Sequence, residues 1–189
     1  MSERQIGATL LARLLALPMD ARADVLRGLS APQRRELNER WWAWAHQGQA
    51  WPEGDWRVWL IRAGRGFGKT RAGAEWVSQI ARDDPDALIA LVGATEEDAR
   101  RVMVEGPSGL LAVARTGETP VWRRSSGEVH FESGARAFIF SADAPAKLRG
   151  PEHEAAWCDE LGKWRASRGE LAWNNLMMGL RRGDLPRVL

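Results

Sequence analysis

Ala63-Gly64-Arg65-Gly66-Phe67-Gly68-Lys69-Thr70 decides how the rest of the chain is read. It follows the phosphate-binding pattern G-x-x-x-x-G-K-[ST] except that Ala63 stands where the first glycine would be. Small residues are needed because successive backbone N–H groups must turn inward to cradle phosphate oxygens, and a helix N-terminus adds partial positive charge. In that chemistry Lys69 reaches the β- and γ-phosphates and the Thr70 hydroxyl ligates Mg²⁺. A dinucleotide-binding G-x-G-x-x-G is excluded, because its third glycine would fall on Lys69.

The flanks supply the expected context. Trp56 to Ile61 alternates β-formers and reads as a strand running into the loop, and a helix is expected from Thr70 to about Ala81. Ala87 to Val92 is a continuous apolar run, as in a parallel strand buried on both faces. Thr95 with Glu96, Glu97 and Asp98 gives a capped, acidic first turn of a further helix. Residues 121–124, 128–132 and 135–141 read as short antiparallel strands joined through Ser126-Gly127 and Ser133-Gly134. Glu154 to Cys158 is a short strand, and a last helix covers roughly 167–181. Upstream, apolar spacing predicts a helix over 3–17 closed by Pro18, and Ser30 with Gln33 reads as a capping box for a helix through Leu37 to Trp44. Trp41, Trp42 and Trp44 are read as core packing rather than base stacking. The order of elements predicts an α/β sheet with helices on both faces, a parallel sheet of the ASCE-type P-loop NTPase class. An N-terminal helical segment at 1–48 precedes an ATPase domain at 49–189.

Asp159 and Glu160 close the Glu154–Cys158 strand. Two acids at the end of a buried strand are costly unless a cation or substrate uses them. Asp159 is placed to hold Mg²⁺ and Glu160 to orient and deprotonate an attacking water. The three histidines, His46, His130 and His153, show no metal-ligand spacing with Cys158, the one cysteine. That single cysteine rules out an internal disulfide framework and suits a buried strand position. A formal net charge of +2 neither requires nor excludes nucleic acid. No apolar run is long enough to span a bilayer, so the expectation is a soluble chain in the cytoplasm, with no membrane partner.

Four segments together resemble the phage large terminases, especially those of prophages and gene-transfer agents: WRVWLIRAGRGFGKTRAGAEWVSQ (56–79), ALVGATEEDARRVMVEGPSGLL (88–111), FSADAPAKLRGPEHEAAWCDELGKW (140–164) and AWNNLMMGLRRGDLPRV (172–188). The resemblance implies a DNA-packaging motor that hydrolyses ATP with Mg²⁺ to drive double-stranded DNA into a procapsid. It implies a portal protein and a small terminase subunit as partners, and a homo-oligomeric ring. Gly64, Arg65, Gly66, Phe67, Gly68, Lys69 and Thr70 would hold nucleotide, with Arg65 sensing or stabilising the γ-phosphate. Gln49 would contact adenine, Gln47 being the competing assignment. Arg149 would couple nucleotide state to movement or reach a neighbouring subunit, a plain surface arginine being the alternative. Complete relatives continue into a coupling motif and a ribonuclease-H-type nuclease; nothing here resembles the nuclease's spaced aspartates. The family's next strand, beginning here near Arg187, lies between the phosphate-loop strand and the acidic strand, so an incomplete sheet and a truncated chain are expected. The rival readings are a helicase-like DNA motor and a non-catalytic fragment that binds nucleotide, DNA or terminase partners without turnover.

Overall fold

The computed structural model describes residues 12–189. The chain forms two compact units, Met1–Ala50 and Trp51–Leu189. Of the helix expected over 3–17, residues 12–16 are helical and 1–11 lie outside the described residues.

In the first unit, α1 (Met19–Gly28), α2 (Ala31–Glu39) and α3 (Trp41–Trp44) are followed by a 3-10 turn at Gln47–Gln49. The capping box is present: Gln33 N–H donates to Ser30 Oγ at 3.4 Å, and Ser30 N–H to Gln33 Oε1 at 2.9 Å. The helix expected to run through Trp44 instead breaks at Arg40, whose φ of −82° and ψ of 86° are not helical. The tryptophan cluster packs only in part, with Trp41 and Trp42 half-buried. Ala43 is the buried residue of α3, while Trp44 is 49% exposed. Its indole N–H reaches the Leu37 carbonyl at 2.7 Å, so a polar tip satisfied from α2 leaves the ring at the surface. Trp42 lies beneath the Arg40 guanidinium, 5.4 Å away.

The second unit is built on a six-stranded sheet of order β2-β3-β4-β1-β5-β6. The strands are β1 (Leu88–Gly93), β2 (Val121–Arg123), β3 (Glu128–His130), β4 (Arg136–Ser141), β5 (Ala155–Cys158) and β6 (Arg187–Val188). The sheet is mixed rather than wholly parallel. β4, β1, β5 and β6 run parallel, and β2 and β3 form an antiparallel edge. The expectation that 135–141 is an antiparallel strand therefore holds only on its β3 side. The tight turn at Ser133-Gly134, with Gly134 at φ +114°, reverses the chain there, whereas the long excursion from β1 returns β4 parallel to it.

Ile89, Ala90, Leu91 and Val92 are all fully buried, as the unbroken apolar run required. Ala90 and Val92 join Phe140, Ala156, Cys158 and the inner face of α6 (Ala166–Gly179) through Ala172 and Leu176. Ile89 and Leu91 face the other way, on the side of Trp157, where α4 (Lys69–Asp83) packs. Helices thus cover both faces. The helix capped by Thr95, α5 (Glu96–Asp98), passes directly into a π-helical stretch at Ala99–Val104.

Trp56 to Ile61 does not form the expected strand. It makes a single parallel bridge, Val58 with Val188, through Trp59 N–H to Val188 O (2.8 Å) and Val188 N–H to Arg57 O (2.9 Å). The segment is held instead by aromatic packing: Trp56 lies 5.8 Å from Trp76 of α4 and 6.2 Å from Trp59, with the Arg187 guanidinium over its ring at 4.9 Å. β6 thus sits between the approach to the glycine-rich loop and β5. Among the described residues no helix is long and apolar enough to cross a membrane.

Candidate nucleotide site

The glycine-rich loop joins the bridged segment to α4. Gly66 (φ +77°) and Gly68 (φ +87°) adopt left-handed backbone that only glycine takes freely, and Gly68 is the N-cap of α4. Lys69 is the first helical residue. Its ammonium turns back on the loop, donating to the carbonyls of Ala63 (2.9 Å) and Gly64 (3.0 Å).

The acids arrive from β5. Asp159 N–H donates to Val92 O at 2.9 Å and the Trp164 indole donates to Asp159 O at 3.2 Å, so the backbone of Asp159 is pinned from both sides. Burial first, and then repulsion from Glu160, raises the Asp159 carboxyl above its ordinary value, against the pull of Lys163 and Lys69. Glu160 is exposed and has a φ of +46°, the one positive value among the described non-glycine residues.

Close approach of α4 to β5 fixes how the lysine and the acids face each other. A Cβ on Gly73 would lie 2.3 Å from Trp157 Cε2, so the α4 backbone rests directly on the indole of the strand that carries the acids. Two adjacent cavities result. One, of about 270 Å³, is lined by Trp59 to Ala63, Lys69, Trp157 to Gly162, and Leu189. The other, of about 110 Å³, is lined by Thr70, Asp98, Asp159, Glu160 and Lys163, among others. Asp159 and Glu160 are the wall that the two share.

Lys69, Thr70, Asp159 and Glu160 are therefore brought together as the sequence reading expected. Arg65 is exposed on the loop, between Gly64 and Gly66, which are exposed too; Phe67 is half-buried. Gln49 belongs to the first unit, where it is buried and its Oε1 accepts the His46 N–H at 3.2 Å; Gln47 beside it is exposed. Arg149 is exposed beyond the turn at Pro145–Leu148. Cys158 is buried and its thiol pushed upward by burial and then by Asp159, as suits an inert core position. Three contributors escape sequence reading. Asp98 reads only as an acidic first-turn residue, Lys163 carries no signal beyond a charge three places after Glu160, and Gly73 looks like any helix glycine.

No cluster of three or more acidic, histidine or cysteine side chains capable of caging a metal occurs among the described residues. That suits Mg²⁺, which uses one or two protein ligands with phosphate and water. The Thr70 hydroxyl and the Asp159 carboxylate line one cavity and would supply that kind of incomplete shell.

No match is found among curated proteins. Among solved structures, the large terminase of a thermophilic bacteriophage is similar in fold at 16% identity, with a TM-score of 0.52 over 82% of this chain and 37% of that one. The same phage protein in complex with ADP, also 16% identical, gives a TM-score of 0.55 over 82% and 36%. The chain thus spans little more than a third of that relative. The family model described as terminase large subunit, T4likevirus-type, N-terminal, matches residues 60–185, about two-thirds of the chain. Since that span includes the glycine-rich loop, α4, the acid pair and every strand but the last, the chain belongs to the T4likevirus-type terminase large subunit family, as its N-terminal region.

Proposed function

We propose that the chain is the ATP-hydrolysing segment of a DNA-packaging motor. The observation that carries this reading is the convergence of Lys69 and the Asp159–Glu160 pair on one cleft, with Thr70 on the adjoining one. Nucleotide phosphates lie along Gly64 to Thr70, with Lys69 leaving its loop carbonyls for the β- and γ-phosphate oxygens. Thr70 and Asp159 would hold Mg²⁺, which would neutralise charge on the phosphates. Glu160 orients water and accepts its proton as the water attacks the γ-phosphoryl group. Arg65 lies beside the γ-phosphate. The solved complexes of the thermophilic phage's large terminase with ADP and with ATP-γ-S support nucleotide binding here through likeness of fold. The wider setting follows the family: translocation of double-stranded DNA by a homo-oligomeric ring on a portal protein, with a small terminase subunit, in the host cytoplasm, and with Arg149 acting toward a neighbouring subunit.

The test is Mg²⁺-dependent ATP hydrolysis by the 189-residue chain, with and without double-stranded DNA, beside Lys69→Ala and Glu160→Gln. Turnover lost in both variants is expected, with nucleotide binding retained in Glu160→Gln. Unchanged turnover in either variant refutes the assignment of that residue. A second reading, nucleotide binding without turnover, is favoured by one observation. Lys69 is turned to the carbonyls of Ala63 and Gly64 and the Glu160 carboxylate is paired with Lys163, so both groups assigned to turnover are already engaged. On that reading Lys69→Ala loses binding and no variant shows hydrolysis.

A further inference from the structure

The smaller cavity holds a cation that the hydrolytic reading does not use. Immediately after Glu160 the chain makes a 3-10 turn, Leu161–Lys163, closed by Lys163 N–H to Glu160 O at 2.8 Å. The turn is anchored by Trp164, which is buried and bonded to Asp159 O at 3.2 Å. This brings the Lys163 ammonium to Glu160 at the open side of the cavity, the lysine side chain remaining 66% exposed. Its ammonium is paired with the Glu160 carboxylate, and it shares the cavity with Asp98, Asp159 and Thr70. Its contact is with Glu160, while Asp98 and Asp159 act on it at longer range across the cavity. Lys69, the other cation near the acids, is turned to the carbonyls of Ala63 and Gly64. Asp98 has a local role as well: its N–H and one carboxylate oxygen close on the Thr95 hydroxyl at 3.0 and 2.8 Å.

We infer that Lys163 is a tethered counter-ion for the acid cluster, occupying with its own charge the place that a metal–nucleotide complex must take and holding the Glu160 carboxylate until it does. The inference rests on the reading of Asp159 as metal ligand and Glu160 as base. Lys163 is a positioning residue: it touches Glu160, not the reacting atoms. Its consequence is competition. Metal entry must displace or outweigh a resident positive charge, and Glu160 becomes available only when its ion pair with Lys163 opens. At low ionic strength a unit charge and a divalent ion at roughly 6 Å in water repel by the equivalent of up to about tenfold in affinity, and salt screens this for a lysine as exposed as Lys163.

The experiment is titration of the full chain with Mn²⁺ alone, followed by electron paramagnetic resonance, for the parent, Lys163→Met and Lys163→Arg. Circular dichroism melts confirm that each is folded. At low ionic strength Lys163→Met is expected to bind Mn²⁺ more tightly, by up to about tenfold, and Lys163→Arg, which keeps the charge, to match the parent. Equal affinity in the parent and Lys163→Met, including no measurable binding by either, overturns the inference. So does tightening of the same size in Lys163→Arg. Asp159→Asn and Glu160→Gln run alongside separate the two levels of argument. Mn²⁺ binding that survives Asp159→Asn unchanged, or hydrolysis that survives Glu160→Gln, removes the underlying site reading. If both substitutions behave as expected and Lys163→Met does not, the counter-ion role alone fails.

Discussion

Replacing Gly73 by alanine opposes two effects of known sign. Alanine favours a helix interior over glycine by about 1 kcal/mol, so on propensity alone the substitution stabilises α4. Against this, the new Cβ would meet Trp157 Cε2, Nε1 and Cζ2 at 2.3, 2.6 and 2.7 Å, where 3.4–4 Å is ordinary contact. Relief needs a separation of more than about 1 Å between a helix backbone and an indole that is itself 2% exposed. Overpacking of this kind costs about 1–3 kcal/mol and more where the backbone must move. The clash wins, for a net loss of about 1–2 kcal/mol, equivalent to a melting temperature lower by roughly 2–8 °C in a chain of this size. Because Gly73 lies one helical turn after Lys69, displacement of α4 also shifts the ammonium away from the acids and weakens nucleotide binding. Urea denaturation and titration with a fluorescent ATP analogue measure the two effects. The double variant with Trp157→Leu should be less destabilised than the two single effects added, because the leucine leaves room for the methyl. A Gly73→Ala protein at least as stable as the parent refutes the direct contact of α4 with β5.

Two further outcomes concern the scaffold. His153 is buried against Phe140, ring centroids 5.4 Å apart, with neither ring nitrogen hydrogen-bonded. Burial lowers its pKa to about 4, outweighing the opposing Leu88 carbonyl, which does not meet hydrogen-bond geometry. The unfolded chain therefore binds this proton first, and stability should fall as pH drops from about 6.5 through 4, by up to about 3 kcal/mol. His153→Phe should flatten that part of a stability–pH curve, and an unchanged slope would exclude His153 as its source. Glu118 receives the Arg82 guanidinium at 2.6 and 2.9 Å and the Arg115 N–H at 2.8 Å. Burial would raise its carboxyl, but these donors outweigh it and hold the pKa below the usual value. The stability it contributes is present above about pH 4.5 and is lost as pH falls through the lowered value. Glu118→Gln should cost about 1–2 kcal/mol at neutral pH, and a chemical-denaturation midpoint unchanged from the parent at pH 7 counts against it.

The parts of this molecule legible in sequence are those written in local chemistry. The glycine-rich loop, the caps at Ser30 and Thr95, the apolar run of β1 and the acids closing β5 each depend on neighbours within a few residues, and each is where the pattern placed it. What sequence misreads depends on distant partners. Trp56 to Ile61 has strand composition, yet forms one bridge, with a residue about 130 positions later. The parallel side of β4 is decided by β1, more than forty residues earlier, and not by the turn at Gly134 that shapes the antiparallel expectation. The tryptophans of α3 carry core-like chemistry but stand on a four-residue helix, too short to bury three indoles. Lys163 and Asp98 become part of the site only when β1 and β5 are set side by side, which no local pattern records.

The backbone of Glu160 has a consequence for how such a site persists under change. A glutamate at φ +46° carries about 1–2 kcal/mol of steric strain that glycine would not, and asparagine would carry less of it. Replacing Glu160 by either should therefore make the chain more robust while removing the carboxylate assigned as the base. Fold stability and turnover pull in opposite directions at this one position, so screening or drift that rewards thermal tolerance alone would tend to discard the glutamate, and its retention in a thermally selected population would be a sign that hydrolysis was being selected as well.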